Sequence, residues 1–383
     1  KQHERMLTDG FYAEVTLSYD AAIAQEKGGR PFAIDSLRAM QLSKADVLDT
    51  LKRGRHDFTT EEWKRILLRS VGLEPAAMSE RAQLVALVRM VPFVERNYNM
   101  VELGPRGTGK SHLYQQISPY AHLISGGKAT VAKMFVNNAN GQRGLVCQYD
   151  VVCFDEISGV SFDQKDGVNI LKGYMESGEF SRGNVEVEHQ QRVGHLLSPL
   201  PPEMRDDTAF MDRIHAYAPG WDFPKLNPNE HFTDHFGLVS DFLSECWSRL
   251  RTGSRVPVLQ GRVNYGGALS GRDITATNKT VSGLIKLLYP DPEMTVPDEE
   301  LEAMVRVALE VRRRVKEQQK RVFKSEFRNT HFSYAIGEDG IEKFVSTPEL
   351  HNDEANRIHF HRARCGVSAR ADRRRARVCT ASR

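Results

Sequence analysis

Residues 104–111 have the types and spacing of a loop that binds phosphate groups. They fit the pattern G-x-x-x-x-G-K-[ST] and are Gly104, Pro105, Arg106, Gly107, Thr108, Gly109, Lys110 and Ser111. An apolar run precedes the loop and a helical pattern follows it, so a strand and a helix flank the glycines as phosphate binding requires. In such a loop Lys110 contacts the β- and γ-phosphates of ATP, and the Ser111 hydroxyl holds Mg²⁺.

An acidic pair, Asp155 and Glu156, follows the continuous apolar run of residues 151–154. Such a run is typical of a strand that is covered on both faces. An acidic pair after a strand is a weak signal alone, but its distance from the phosphate loop suits a βαβ unit. We therefore predict that Asp155 holds Mg²⁺ through water and that Glu156 polarises the attacking water in ATP hydrolysis.

Two arginines occupy places from which a guanidinium could reach a γ-phosphate. Arg213 ends a helix-like run that follows a proline-rich loop, and Arg272 opens a helix with Ser270 as its N-cap. Arg213 could act in trans on the nucleotide of a neighbouring subunit, and Arg272 could act in cis as a sensor. A surface ion pair is the alternative for each of them.

Alternating strand and helix patterns around these residues predict an α/β fold. The expected architecture is a three-layer sandwich with a parallel sheet and the nucleotide at the strand ends. Upstream, the patterns predict a half-buried strand over residues 11–17 without a local partner, a helix over residues 36–52, a capping box from Thr59 to Glu62 and a helix after Ser79 that Pro92 bends or interrupts.

A long amphipathic helix is predicted after residue 297. Its apolar face comprises Leu301, Met304, Val305, Ala308 and Leu309. The arginines at 312–314 are interpreted as a solvated cluster that suits the helix dipole, with a nucleic-acid contact as the less favoured alternative.

The composition is that of an ordinary soluble globular protein, with 40% hydrophobic and 27% charged residues. It contains neither an apolar run long enough for a membrane span nor a signal core, so we expect no membrane association and a cytoplasmic location. The five cysteines form no C-x-x-C pair, as expected in a reducing compartment without structural zinc. The chain does not begin with Met, which indicates a fragment.

The net charge of +3 does not indicate nucleic-acid binding, because the positive charge is concentrated in the last residues. Residues 352–383 hold nine arginines and three acidic residues, which leaves the rest of the chain slightly negative.

Several long segments in order resemble the BrxL family, the Lon-related AAA+ ATPases of bacterial BREX phage-exclusion systems. They are GPRGTGKS, VVCFDEISG, KDGVNILKGYMESGEFSRG, HLLSPLPPEM, FMDRIHAYAPGW, LSGRDITATNKTVSGLIKLL and RRRVKEQQKR. The resemblance implies an AAA+ ATPase with a core like that of MCM helicases, which assembles into a homo-oligomeric ring, expected to be a hexamer. It also implies binding to double-stranded DNA and to other BREX components. By the same resemblance Lys110, Ser111, Asp155 and Glu156 form the nucleotide site, Arg213 is the finger and Arg272 is the second sensor.

Two departures from the family pattern bear on function. The apolar strand that carries the first sensor is missing after Gly183, so only Asn184 could replace that asparagine. Loss of a central strand would leave unpaired backbone groups in the sheet. The arginine-rich end replaces the Lon-like C-terminal domain and is interpreted as a frameshifted or spurious extension, with a nucleic-acid-binding arm as the alternative.

We expect four segments: a partial N-terminal α+β domain at 1–75, an AAA+ nucleotide-binding core at 76–250, a helical lid at 251–350 and a disordered tail at 351–383. The favoured function is that of an ATPase module that couples hydrolysis to DNA binding or translocation. The alternatives are the motor part of an ATP-dependent Lon-type protease and an assembly scaffold with impaired hydrolysis.

Overall fold

The computed structural model describes residues 13–25, 28–39, 46–103, 107–125, 128–129, 134–137, 142–155, 161–162, 165–177, 204, 206–323, 330–337 and 340–347. The helices of these residues are α1 (Ala21–Gln25), α2 (Val47–Arg55), α3 (Thr60–Ser70), α4 (Glu80–Val94), α5 (Lys110–Gln116), α6 (Leu145–Gln148), α7 (Lys165–Ser177), α8 (Thr208–Asp212), α9 (Pro228–His231), α10 (Ser240–Leu250), α11 (Gly271–Leu288) and α12 (Asp298–Val322). The strands are β1 (Ala13–Tyr19), β2 (Phe32–Ala39), β3 (Met100–Leu103), β4 (Ala121–Ser125), β5 (Lys128–Ala129), β6 (Val136–Asn137), β7 (Gln142–Arg143), β8 (Val151–Asp155), β9 (Ser161–Phe162), β10 (Ala216–Pro219), β11 (Val263–Tyr265), β12 (Ser333–Ile336) and β13 (Lys343–Phe344).

An antiparallel hairpin of β1 and β2 begins the described chain. The prediction that the first strand lacks a local partner is wrong, because β1 pairs with β2. The chain reverses between the two strands, where Gly28 has a φ of 87°. The predicted helix over residues 36–52 is also wrong at its start, because β2 continues to Ala39 and α2 begins only at Val47. The strand is not half-buried either, since Leu17 is 59% exposed and its partner Ile34 is 61% exposed.

The helices before the phosphate loop begin where their capping residues predict. Thr59 accepts a hydrogen bond from the Glu62 backbone N–H at 3.3 Å, and Glu62 accepts one from the Thr59 N–H at 2.9 Å, so the capping box is confirmed. Ser79 caps α4, which continues through Pro92 to Val94. Pro92 therefore does not interrupt the helix.

Two pairs of parallel strands carry the candidate site. β3 pairs with β10, and β4 pairs with β8 in a register that places Ala121 opposite Val151 and Ser125 opposite Asp155. α5 connects β3 to β4 and packs against β4 and β8. The mixed α/β class with parallel strands and helices is confirmed.

The main hydrophobic core surrounds α4, α11 and α12. Val85, Leu87 and Val88 of α4 are fully buried, as are Val281 and Leu309 of the two later helices. A second cluster is formed by buried residues of α7, α8 and β10 and of the chain near them; it includes Phe135, Leu171, Met211 and Tyr217. The apolar face predicted for α12 is confirmed, since all five of its residues are buried.

Among the residues described, we find no helix with both the length and the apolar character needed to cross a membrane.

Candidate nucleotide-binding site

The described part of the phosphate loop has the backbone shape that its glycines allow. Gly107 and Gly109 have φ values of 83° and 75°, in the left-handed region that side chains disfavour. A Cβ on Gly109 would also lie 2.7 Å from Leu226 Cδ1. α5 begins at Lys110 directly after this turn. Gly104, Pro105 and Arg106, the other predicted loop residues, lie outside the described residues.

Ser111 and Asp155, which are far apart in sequence, are in direct contact. The Ser111 hydroxyl donates a hydrogen bond of 2.7 Å to Asp155 Oδ2. The contact arises because α5 packs against β8, and Asp155 is the last residue of that strand. The structure therefore brings together the two residues to which the sequence assigns the metal.

Lys110 lies beside these two residues at the start of α5. Its Nζ is 3.4 Å from Thr108 Oγ1 within the loop. Burial lowers the pKa of Lys110, and the negative charge of Glu102 opposes this effect. Thr108 itself is buried.

Ser111 and Asp155 provide the donor types that Mg²⁺ prefers, a hydroxyl and a carboxylate oxygen. No group of three or more metal-ligating side chains occurs in the part of the chain that the structure describes. Mg²⁺ is usually bound by one or two carboxylates together with substrate phosphates and water, so one hydroxyl and one carboxylate are enough protein ligands for it. Glu156 and Asn184, the predicted base and first sensor, lie outside the described residues.

Arg213 and Arg272 meet at one carboxylate, that of Glu176 at the end of α7. Arg272 donates to Glu176 Oε1 at 2.8 Å, and Arg213 forms an ion pair with Glu176 Oε2. Hydrogen bonds from Arg272 and then Arg213 lower the pKa of Glu176. Arg272 also donates to Asp212 at 2.7 Å. The sequence analysis treated the two arginines separately, whereas the structure places them side by side.

Arg312 of α12 joins the elements that carry these arginines. Its guanidinium is fully buried and donates to Asp273 at 2.8 Å and to Asp212 at 2.9 Å. Asp273 directly follows Arg272, and Asp212 directly precedes Arg213. Although burial alone would raise the pKa of Asp273, the charge of Arg312 lowers it. Arg312 thus fixes the start of α11 against the end of α8.

The interpretation of Arg312, Arg313 and Arg314 as a solvated cluster is wrong, because all three are buried. Arg314 pairs with Glu310 at 2.6 Å and Arg313 with Glu317 at 3.3 Å along the same helix. Each of these buried cations has a carboxylate partner, so α12 can pack against the rest of the protein on its charged face as well.

Sequence reasoning missed Glu176, Asp212 and Arg312 as site residues. An aspartate stands next to each candidate arginine, at 212 and 273, and these two neighbours were the available signal. Glu176 gave no such signal, because its contacts with Arg213 and Arg272 are made only in the folded chain.

Comparison with known proteins shows the family to which the chain belongs. Residues 32–333 match the family described as "Lon-like protease BrxL-like, ATPase domain". The chain is 43% identical to the Lon-like protease BrxL of Escherichia coli O9:H4 (strain HS) over 370 residues, which is 92% of this chain and 52% of the relative. It is 42% identical to the Lon-like protease BrxL of Bacillus cereus (strain H3081.97) over 365 residues, or 91% of this chain and 53% of that relative.

The chain thus spans about half the length of these relatives, and the matched family region covers the loop, Asp155, Arg213 and Arg272. It belongs to the BrxL-like family of Lon-like proteases, in the part that corresponds to the ATPase domain.

Proposed function

We propose that this chain is a Mg²⁺-dependent ATPase module. The observation that carries the proposal is the 2.7 Å hydrogen bond between Ser111 and Asp155, because it joins the phosphate loop to the strand end where the metal is needed. Lys110 would hold the β- and γ-phosphates, and Ser111 and Asp155 would hold Mg²⁺, Asp155 through water. The chemistry that the metal would supply there is neutralisation of charge on the phosphates. Glu156 polarises the attacking water, and Asn184 takes the place of the residue that orients it.

The proposed active site is completed by a second subunit. Arg213 acts in trans on the γ-phosphate of a neighbour, and Arg272 acts in cis. Arg213 and Arg272 both contact the carboxylate of Glu176, and this placement of two guanidinium groups beside each other supports the assignment. The assembly is a homo-oligomeric ring with six subunits.

The architecture proposed for this module is an AAA+ three-layer sandwich in which the two parallel pairs belong to one sheet. Residues 1–75 form the N-terminal part, 76–250 the nucleotide-binding core and 251–350 the helical lid, and the predicted tail at 351–383 lies outside the described residues. The parallel pairing of β3 with β10 and of β4 with β8 supports the core assignment.

We further propose that ATP hydrolysis is coupled to binding or translocation of double-stranded DNA in anti-phage defence. The module would act in the cytoplasm with other BREX components. The support is the family membership and the length of the match to the two BrxL relatives.

ATP hydrolysis by the purified chain, measured with and without duplex DNA, tests the proposal. A Glu156→Gln variant is the matched control, because it keeps the size of the side chain and removes the base. DNA-stimulated turnover that disappears in the variant supports a motor that acts on DNA. Nucleotide binding without turnover supports instead the scaffold with impaired hydrolysis, and absence of nucleotide binding refutes the proposal.

Both relatives are named Lon-like proteases, which favours a second candidate function, the motor part of an ATP-dependent protease. Degradation of an unfolded protein substrate in the presence of ATP would support it. Proteolysis that is unaffected by Glu156→Gln would come from another source and would count against this candidate.

A further inference from the structure

Two backbone carbonyl groups of the phosphate loop accept hydrogen bonds from outside the loop. The carbonyl of Thr108 accepts a bond of 3.0 Å from Arg89 Nη1 of α4. The carbonyl of Gly107 accepts one of 2.8 Å from the backbone N–H of Leu226. Both donors come from parts of the chain that do not belong to the loop motif.

These bonds determine where the loop N–H groups point. In a trans peptide unit the C=O and the following N–H lie on opposite sides of the chain, and no peptide bond among those described is cis. Because Arg89 holds the Thr108 carbonyl, the Gly109 N–H points away from Arg89. In the same way, the Leu226 N–H holds the Gly107 carbonyl, so the Thr108 N–H points away from Leu226. Successive N–H groups that point to one side are the arrangement that binds phosphate oxygens.

Arg89 is itself held rigidly. It is 3% exposed, it makes a two-pronged ion pair with Glu102 of β3, and its guanidinium lies 3.5 Å from the centre of the Phe223 ring. The backbone carbonyl of Arg89 accepts a hydrogen bond of 2.9 Å from the Tyr114 hydroxyl of α5. α4, β3 and α5 are therefore joined at this one residue.

The pair with Glu102 has a second effect on the site. Glu102 lies close enough to Lys110 for its charge to act on the ammonium group. Arg89 donates hydrogen bonds to both carboxylate oxygens of Glu102, so its positive charge compensates the negative charge of Glu102. Without Arg89, Glu102 would be a buried unpaired anion, and Lys110 would be the nearby cation available to it. Lys110 would then be withdrawn from the phosphates.

We propose that Arg89 is a positioning residue for nucleotide binding. It orients the peptide between Thr108 and Gly109, and it pairs with Glu102 so that this buried carboxylate does not draw on Lys110. The inference rests on the proposed nucleotide site and adds to it a residue that lies outside the phosphate-loop motif.

The test is the Kd for Mg·ADP, measured by calorimetry on the full chain, together with KM and kcat for ATP. Arg89→Met should raise the Kd about ten- to a hundredfold, because a hydrogen bond from a charged donor is lost and Lys110 is drawn toward the unpaired Glu102. Arg89→Lys keeps the charge beside Glu102 but lacks the planar fork, so it should raise the Kd by a smaller factor, about tenfold. In both variants KM should rise more than kcat falls.

A double variant separates the two effects. Arg89→Met combined with Glu102→Gln removes the unpaired carboxylate, so it should bind Mg·ADP more tightly than Arg89→Met alone. The matched control is Lys286→Met, which breaks a buried pair with Glu95 at 2.7 Å in another part of the core. It should lower stability and leave the Kd unchanged.

Circular dichroism checks that each variant is folded. If Arg89→Met does not fold, the Kd for Mg·ADP is measured on Arg89→Lys, which keeps the charge. A folded Arg89→Lys variant with the wild-type Kd and KM would overturn the inference. An equal rise in Kd for Lys286→Met would also overturn it, because the effect would then be one of general stability. Lys110→Ala tests the underlying site: if it leaves the Kd unchanged, the proposed function fails independently of Arg89.

Discussion

His215 should make the stability of this chain depend on pH between about 7 and 5. Its Nδ1 accepts a hydrogen bond of 2.9 Å from the Asn99 N–H, and its ring stacks on Tyr98 with the centroids 5.5 Å apart. Burial lowers the pKa of His215 from 6.5 to about 3, and the charges of Lys279 and Arg312 act in the same direction. The imidazole is therefore neutral in the folded protein at any physiological pH.

The sign of the effect follows from proton binding. Between the two pKa values the unfolded chain binds a proton at His215 and the folded chain does not, so stability falls as the pH falls. The loss begins near pH 6.5 and ends near pH 3. Each pH unit well inside this window costs about 1.4 kcal/mol, and the change from pH 7 to pH 5 amounts to about 2 kcal/mol.

The effect is measured as the free energy of unfolding in urea at pH 7, 6 and 5, followed by tryptophan fluorescence. His215→Asn is the matched variant, because its amide oxygen can still accept from Asn99 but does not titrate. Loss of the stack on Tyr98 lowers the stability of the variant by the same amount at each pH. The difference between the proteins should therefore shrink by about 2 kcal/mol from pH 7 to pH 5. Parallel pH profiles would refute the reasoning.

Three further substitutions have defined outcomes. Asp155→Asn should lower ATP turnover at least about a hundredfold, because Asp155 is proposed to hold the metal. Binding of nucleotide without Mg²⁺ should persist. Loss of both turnover and Mg²⁺-free binding would contradict a metal role. Gly109→Ala should cost about 1–2 kcal/mol of unfolding free energy and also weaken Mg·ADP binding, whereas Gly72→Ala, which has a similar φ of 85°, should cost stability alone. Arg312→Met should cost about 3–5 kcal/mol by urea denaturation, because it removes the buried cation that Asp212 and Asp273 share. Arg306→Met, on the exposed face of the same helix, should cost less than about 1 kcal/mol.

Local signals in the sequence predicted much of the site. The glycines at 107 and 109 require a left-handed backbone, and the apolar run before Asp155 predicts a buried strand. The contact of Ser111 with Asp155 follows from these two facts, because a βαβ unit brings the start of its helix near the ends of its strands. The capping residues Thr59, Ser79 and Ser270 likewise place helix starts within one residue.

The failures concern contacts between distant segments. The hairpin was missed because β2 has no strict apolar alternation: Phe32 and Ile34 fit it, but Ser36 breaks the series at the next position. The strand forms because its backbone pairs with β1, and a register shift lies between Thr16 and Leu17 in that partner. A pattern read from one segment contains no information about such a pairing.

The charges of α12 illustrate the same limit. A run of arginines in a helix is usually solvated, and the exposed position of Arg306 conforms to that rule. Arg312 departs from it because Asp212 and Asp273, on two other helices, lie within hydrogen-bond distance. Burial of a cation is acceptable only where such partners exist, and their presence depends on the tertiary structure.

The buried position of Arg312 has a consequence for the two candidate catalytic arginines. Its partners, Asp212 and Asp273, are the chain neighbours of Arg213 and Arg272. A movement of α12 relative to α8 or α11 would break a buried ion pair, which costs several kcal/mol. α12 therefore holds the segments that carry the two arginines at a fixed separation.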